Sequence, residues 1–384
     1  MNVNTTHFIG ILIAFLIVGI VGIYIGDEMI TATNLSQEST INGTGISLIE
    51  WTQQNATVPY VGSYGPSMVL TENSGVVAIS SNGVANSSDN GATWNTLTEA
   101  PGWSTMVSAA AVKMANGHIV IMGGSNNETY MSADDGATWT LQNNTPQWTS
   151  RNGGAAVVVE GTGIIYNGGQ DVDGIYTNAT YRSDDEGATW TTINESCPWG
   201  GRAYQGMVVN SLGTIYLWGG QGDGGEKLND VWQSEDNGVT WSLITASAEW
   251  TGRDYFAYVI TDEDTIYMFD GDMSHQIWQS TDNAHTWSQI IMVSGWTDGN
   301  GATAVITADK NVLLIGGSTK TDAWITTQNV LITYGSSLSA SQAEVVNTFV
   351  LGILLLKIIV IVILATIIFA ALQHAGLIPK IGKE

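Results

Sequence analysis

The chain has 384 residues, 44% of them hydrophobic, and a formal charge of −24 from 35 Asp+Glu against 11 Lys+Arg. That balance excludes nucleic acid, whose phosphates demand a basic surface, and excludes docking of a folded domain onto anionic lipid. A single cysteine, Cys197, excludes any disulfide within the chain, so closure of a fold must come from strand pairing and packing.

In chain order, residues 1–26 contain an uncharged apolar run of 18 residues, Phe8 to Ile25, with no Lys or Arg before it. The run is long enough to span a bilayer and reads as an N-terminal transmembrane anchor, with a cleaved signal peptide as the alternative. Asp27 and Glu28 follow, and residues 27–45, rich in Thr, Ser and Asn, read as a polar stalk.

Residues 46–335 are built on a repeat. The octapeptide Ser-x-Asp-x-Gly-x-Thr-Trp first closes at Ser87 to Trp94 and recurs at Ser132 to Trp139, Ser183 to Trp190, Ser234 to Trp241 and, in degenerate form, Ser280 to Trp287. Its tryptophans stand 45, 51, 51 and 46 residues apart. A period of that length with no helical pattern inside it predicts small sheets that bury their faces by stacking on one another, an all-β propeller. The box itself predicts a tight turn, with Gly91, Gly136, Gly187 and Gly238 at positive φ and Asp89, Asp134, Asp185, Asp236 and Asp282 bonding nearby amides. Trp94, Trp139, Trp190, Trp241 and Trp287 then begin each outer strand. A structural role is expected of all five boxes.

A second repeated position lies nine residues after each box tryptophan: Trp103, Trp148, Trp199, Trp250 and Trp296. Trp51 has no box before it, yet Tyr60 stands nine residues on. The segment Ile46 to Trp51 therefore reads as an outer strand without its first three strands. The stretches Gly301–Ile306, Asn311–Gly317 and Ala323–Tyr334 supply those three. The expectation is six four-stranded blades, the sixth closed by the N-terminal strand, which leaves no open edge. Blade four is predicted as Gln205–Val209, Thr214–Gly220, Asp230–Ser234 and Thr240–Ile244.

Residues 336–344 form a linker, and 345–373 a second predicted transmembrane helix, interrupted by Lys357. The 17 Ile, Leu, Val and Phe residues between Phe349 and Phe369 contribute roughly −5 to −10 kcal/mol to insertion, against roughly +3 for the lysine. Lys380 and Lys383, in the tail 374–384, place the C-terminus in the cytoplasm and the propeller outside it. Lys357 snorkels, or pairs with an acidic group on a membrane partner. Asn-x-Ser/Thr triplets begin at Asn34, Asn42, Asn55, Asn86, Asn127, Asn143, Asn178 and Asn194, consistent with an extracellular glycoprotein on a cell surface or viral envelope.

The succession Arg202, Met207-Val208-Val209, Gly213 to Tyr216, Gly219-Gly220, Asn229-Asp230-Val231 and Trp241 resembles a kelch repeat. The octapeptides resemble the Asp-boxes of sialidase and bacterial-neuraminidase-repeat (BNR) propellers. Together these resemblances cover about residues 46–335. The sialidase resemblance implies three arginines on a sugar carboxylate, a Tyr nucleophile activated by a Glu, and an Asp acid/base. Here the family's Arg-Ile-Pro motif is missing, Ser63 stands where blade one would carry an arginine, and no Glu is placed beside the candidate tyrosines. No catalytic residue is carried over.

Three residues after the ring tryptophans come Arg151, Arg202 and Arg253, three of the four arginines in the chain. Tyr204 and Tyr255 follow two residues later. The loops Gln170 to Thr177 and Gln221 to Asn229 add Asp171, Asp173, Asp223, Glu226 and Lys227. A cationic cluster edged with aromatics reads as a pocket for an acidic group on a glycan or protein ligand, with loop struts as the alternative. The five histidines share no metal-ligand spacing, and neither metal nor cofactor is expected. The expected role is a recognition or adhesion module; the alternatives are a sialidase-like glycoside hydrolase and a subunit of a membrane or envelope assembly.

Overall fold

The computed structural model describes residues 48–326, apart from 50, 60–65, 74, 100, 104–105, 272–275, 293–295, 297–299 and 318–319, together with residue 372. But for that last residue, the predicted membrane segments lie outside the described residues, among which no helix is long and apolar enough to cross a membrane.

Six blades, each an antiparallel set of four strands, stand in a ring, at residues 67–98, 110–143, 155–194, 206–245 and 257–292 for blades 1 to 5, the last with one further strand on its outer edge. Blade 6 takes three strands from residues 302–326 and its outer strand, Trp51–Asn55, from the other end of the propeller. Inner strands of successive blades lie side by side, blade 6 against blade 1 included, so the ring is closed. In blade 4 the strands run Gly206–Val209, Ile215–Trp218, Val231–Ser234 and Ser242–Thr245, within two residues of the expected bounds at every end.

The second strands explain the architecture. Ile119–Met122 and Ile215–Trp218 are apolar at every position and buried on both faces, because each blade is covered by a neighbour on either side. Six apolar clusters result, one between each pair of adjacent blades. Burying one such Ile or Leu side chain stabilises the ring by roughly 1.5–3 kcal/mol. Each ring tryptophan packs across a blade boundary on the tryptophan that opens the next outer strand. The centroid distances are 5.1 Å for Trp103–Trp139, 4.6 Å for Trp148–Trp190, 6.1 Å for Trp199–Trp241 and 6.0 Å for Trp250–Trp287. Trp296 meets Trp51 at 6.1 Å, which puts Trp51 in the box-tryptophan place of blade 6.

The closing strand corrects one expectation. It begins at Trp51 and runs forward to Asn55, paired with Ala323–Thr326, where Ile46 to Trp51 was expected. Leu48–Ile49 instead pairs in parallel with Ile291 and Met292 as a fifth strand on blade 5. The reason is that the outer strand follows the aromatic wedge in every blade, so Trp51 marks a start and not an end.

The octapeptide turns share one hydrogen-bond pattern. In the first, the Asp89 carboxylate accepts from the Thr93 amide at 2.8 Å and the Thr93 hydroxyl at 2.6 Å, while the Ser87 hydroxyl accepts from the Gly91 amide at 2.8 Å. The turns at Asp134, Asp185 and Asp236 repeat it, and the degenerate copy at Asp282 keeps it with Ala284 in the glycine place at φ 61°. Glycine matters there because the turn wedges into the preceding blade: a Cβ on Gly187 would sit 2.3 Å from Thr129. Asn55, Asn143 and Asn194 latch these joints, each donating its side-chain amide at 2.9 Å to a carbonyl in the next blade's turn, that of Ala92, Ala188 and Val239. These three sequon asparagines, and Asn178, which bonds the Cys197 carbonyl at 2.6 Å, use their amides inside the fold, so their triplets have a structural origin independent of glycosylation.

Candidate recognition face

By topology, the links that enter the inner strands and the loops between second and third strands open on one face, and the octapeptide turns on the other. The candidate residues lie on the first face, but the structure distributes them differently from the expected cationic pocket.

Arg151, Arg202 and Arg253 are buried, at 8%, 1% and 0% exposure. Arg202 grips both oxygens of Asp230 at 2.8 Å, donates to the Gly219 carbonyl at 3.0 Å and to that of Trp199, and lies over the Trp199 ring. Arg253 bonds the Thr251 carbonyl at 3.1 Å, the Asp270 carbonyl at 2.9 Å and Gln276 at 3.0 Å, between the rings of Trp250 and Trp278. The carbonyls of all three arginines accept from the second glycine of the preceding blade's doublet, Gly124, Gly169 and Gly220. The guanidiniums of Arg202 and Arg253 therefore brace loops within their own blades, and all three arginines are buried, not gathered in an open pocket. A single sequence cannot separate the two because a strut and a ligand anchor demand the same residue at the same place.

Two residues on, the chain forms a rim. Ser108, Gly153, Tyr204, Tyr255 and Gly301 occupy the same position in five successive blades, and all have positive φ, between 53° and 79°. Their backbones join from blade to blade: the Gly153 amide donates to Ser108 at 3.0 Å, Tyr204 to Gly153 at 2.7 Å and Gly301 to Tyr255 at 2.7 Å. Serine and glycine take this conformation at little cost, whereas a bulky residue there stores of order 1 kcal/mol or more of strain. Tyr204 and Tyr255 carry that strain and stack on each other, with centroids 3.7 Å apart. A Cβ on Gly153 would come within 2.3 Å of the Tyr204 ring, so the small residue makes room for the stack.

Tyr176 completes the aromatic group. It donates its hydroxyl to Gln221 at 2.6 Å and its amide to Asp223 at 3.3 Å, which ties loop 170–177 to loop 221–229. Burial, then the bond to Tyr204 and the nearby Asp254 charge, push the Tyr255 phenol well above its ordinary pKa. Burial and the same acidic surroundings, with Asp223 and Glu226, raise that of Tyr176. Asp254 is buried and paired with Lys227 at 3.2 Å.

The loops themselves are ordered by short bridges, Asn152 with Gln170, Gln170 with Tyr176, and Gln221 with Lys227. Asp171 caps the first loop, accepting from the amides of Asp173 at 3.0 Å and Ile175 at 2.9 Å. At its tip Val172 and Ile175 are 75% and 60% exposed beside exposed Asp173, and the second loop exposes Asp223 and Glu226. Sequence reasoning found the loops and both rim tyrosines but not Tyr176 or Gln221. The rim's φ signal was present as Ser and Gly at one repeat position. Among the described residues no group of three or more His, Cys, Asp or Glu is placed to hold a metal ion.

The profile of the DUF6242 beta propeller domain matches residues 22–290. The chain belongs to the DUF6242 β-propeller family. The match ends in the last strand of blade 5, so the sixth blade of this DUF6242 propeller is completed from residues beyond it. No curated protein matches the sequence. Among solved structures the DUF6242 propeller is similar to one described as the structure of YjhT, at 16% identity and a TM-score of 0.53, over 73% of this chain and 97% of that one. It is also similar to a protein of unknown function from Dyadobacter fermentans DSM 18053, at 14% identity and a TM-score of 0.52, over 72% and 98% of the two chains. At these identities the likeness is one of fold.

Proposed function

We propose that this chain is a membrane-anchored propeller displayed outside the cytoplasm, where it works as a recognition or adhesion module for a glycan or protein ligand. The ligand face is the one built by loops 170–177 and 221–229. The observation that carries this reading is the exposure of Val172 and Ile175 on a loop held by internal bridges and tied through Tyr176 to its neighbour. An ordered apolar tip ringed by polar groups is the surface expected of a binding site.

The exposed charges of this face are the carboxylates of Asp173, Asp223 and Glu226 and the Lys227 ammonium, itself paired with Asp254, while the guanidiniums are buried. Hydroxyl-rich or basic ligands suit it better than acidic ones. Anchoring is supported by the apolar runs at residues 8–25 and 345–372 and by Lys380 and Lys383. The shared hydrogen bonds of the five octapeptide turns support the Asp-box resemblance, and the Arg202–Asp230 strut fits a kelch-type blade. A sialidase-like hydrolase needs guanidiniums open to a sugar carboxylate and an activated phenol. Burial of the arginines and the raised pKa of Tyr255 weigh against it.

The test is retention of the full-length chain, in a detergent without a sugar headgroup, on panels of neutral, basic and acidic glycans and of surface proteins. Saturable retention that disappears in a Val172→Asp, Ile175→Asp double variant is expected. Retention indifferent to that variant would remove the loops from the ligand face, and retention on no panel would sink the recognition role.

A further inference from the structure

The box tryptophans of blades 3 and 4, Trp190 and Trp241, stand 51 residues apart, and the contacts of the two blades repeat at that offset. The amides of Thr177 and Leu228 donate to the carbonyls of Gly169 and Gly220, and the carbonyls of Asn178 and Asn229 accept from the amides of Cys197 and Ala248. Gln170 bridges Tyr176 as Gln221 bridges Lys227. Ala179 therefore stands where blade 4 has Asp230, and Arg151 and Tyr181 stand where it has Arg202 and Trp232.

In blade 4 the Asp230 carboxylate collects both donors: Arg202 bonds its two oxygens at 2.8 Å and the Trp232 indole donates to it at 2.7 Å. The equivalent position holds an acceptor for the aromatic donor two residues on in three other blades, Glu128 for Tyr130 at 2.9 Å, Gln276 for Trp278 at 3.1 Å and Asp322 for Trp324 at 2.9 Å. Blade 3 keeps both donors and lacks the acceptor. Among the described residues the Arg151 guanidinium makes no hydrogen bond or ion pair, and the Tyr181 hydroxyl makes no hydrogen bond. Arg151 is 8% exposed, and its Nε is shut off from solvent without a partner. Its two terminal nitrogens are unbonded but not shut off, so the charged end can be reached. A guanidinium so buried and unpaired is costly, and the acceptor that would offset it is the one Ala179 does not supply.

We propose that blade 3 binds a small monocarboxylic acid at this place, its carboxylate accepting from Arg151 and from the Tyr181 hydroxyl as Asp230 accepts from Arg202 and Trp232. The planar guanidinium fork selects a planar carboxylate over a spherical halide. Alanine is shorter than aspartate by one carboxyl group, so the ligand's own carboxyl group takes the place that the side chain leaves. Loop 170–177, which ends two residues before Ala179, carries Asp171 and Asp173, and the formal charge of the chain is −24, so a polyanion is repelled where a monoanion is not. The site uses neither Val172 nor Ile175 of the loop tip, so this binding and recognition by the loop face can fail independently.

The experiment titrates full-length protein, in the same sugar-free detergent, with sodium formate and sodium acetate, against acetamide and sodium chloride at matched ionic strength. Binding is read by carbon-13 line broadening of the carboxylate and by the melting temperature. Saturable binding of a carboxylate with a rise in melting temperature is expected, and neither effect from acetamide or chloride. Tyr181→Phe should weaken binding by about tenfold or more, the worth of one hydrogen bond to a charged group, and Arg151→Met should abolish it. Ala179→Asp, which supplies the missing carboxylate from the chain itself, should also abolish it while raising the melting temperature of the ligand-free protein, and serves if Arg151→Met fails to melt cooperatively. Binding of neither carboxylate, equal binding of chloride, or acetate binding unchanged by Ala179→Asp would each overturn the proposal.

Discussion

Arg202 shows most plainly what single residues do here. Its guanidinium serves Asp230, two backbone carbonyls and an indole at once, and it has 1% exposure. Arg202→Ala leaves the partly buried Asp230 carboxylate with the Trp232 indole and orphans two loop carbonyls, and should cost about 1–3 kcal/mol in urea unfolding. Arg202→Lys should recover little, because one ammonium cannot reproduce the planar fork that meets those acceptors. Near-complete rescue by lysine would show that charge alone holds the loop. The sequence placed this arginine in the right link of the right blade; which way its donors point was decided by Asp230, 28 residues on, and that pairing has no signature in the local pattern.

At the scale of the blade, the joints between sheets carry the stability. Trp199 packs on Trp241 at 6.1 Å and is buried, so Trp199→Ala should remove about 3–5 kcal/mol and lower the melting temperature by several degrees. An unchanged melting temperature would contradict a packing role. The octapeptide turns add a pH dependence. Burial raises the carboxyl pKa of Asp89, Asp134, Asp185, Asp236 and Asp282, but bonds from the threonine hydroxyl and amide outweigh it and leave each below the ordinary value. A carboxyl depressed in the folded state contributes stability above its unfolded pKa, near 3.9, and loses it as pH falls through the lower folded value. The urea midpoint should therefore drop between about pH 5 and about pH 2. Asp185→Asn should lower the midpoint at neutral pH and make that acid drop smaller; an equal drop would remove the turn from the cause. This scale was the most legible, because a joint repeated around a ring imprints a period that a single sequence displays.

For the whole propeller the decisive device is closure by Trp51–Asn55 on Ala323–Thr326. Deleting residues 48–55 leaves blade 6 with three strands and an exposed edge. The shortened chain should lose its sharp thermal transition or associate through that edge in size-exclusion chromatography; a monomer with unchanged melting would show that closure adds nothing. Shared closure could be read from Trp51 and the three strands after Trp296, but the register could not, since a strand before or after a tryptophan has the same composition. The tie between loops was not legible at all: it joins Tyr176 to Gln221, 45 residues apart on neighbouring blades, and neither residue marks its partner in the local pattern.

Loops 170–177 and 221–229 are the surface proposed to meet the ligand. Peptide-resolved hydrogen exchange on the full-length chain, with and without a retained ligand at saturation, tests it most directly. Slowed exchange in those two loops, with the octapeptide turns on the opposite face unchanged, is the result predicted. Protection confined to those turns or to the outer strands would contradict it.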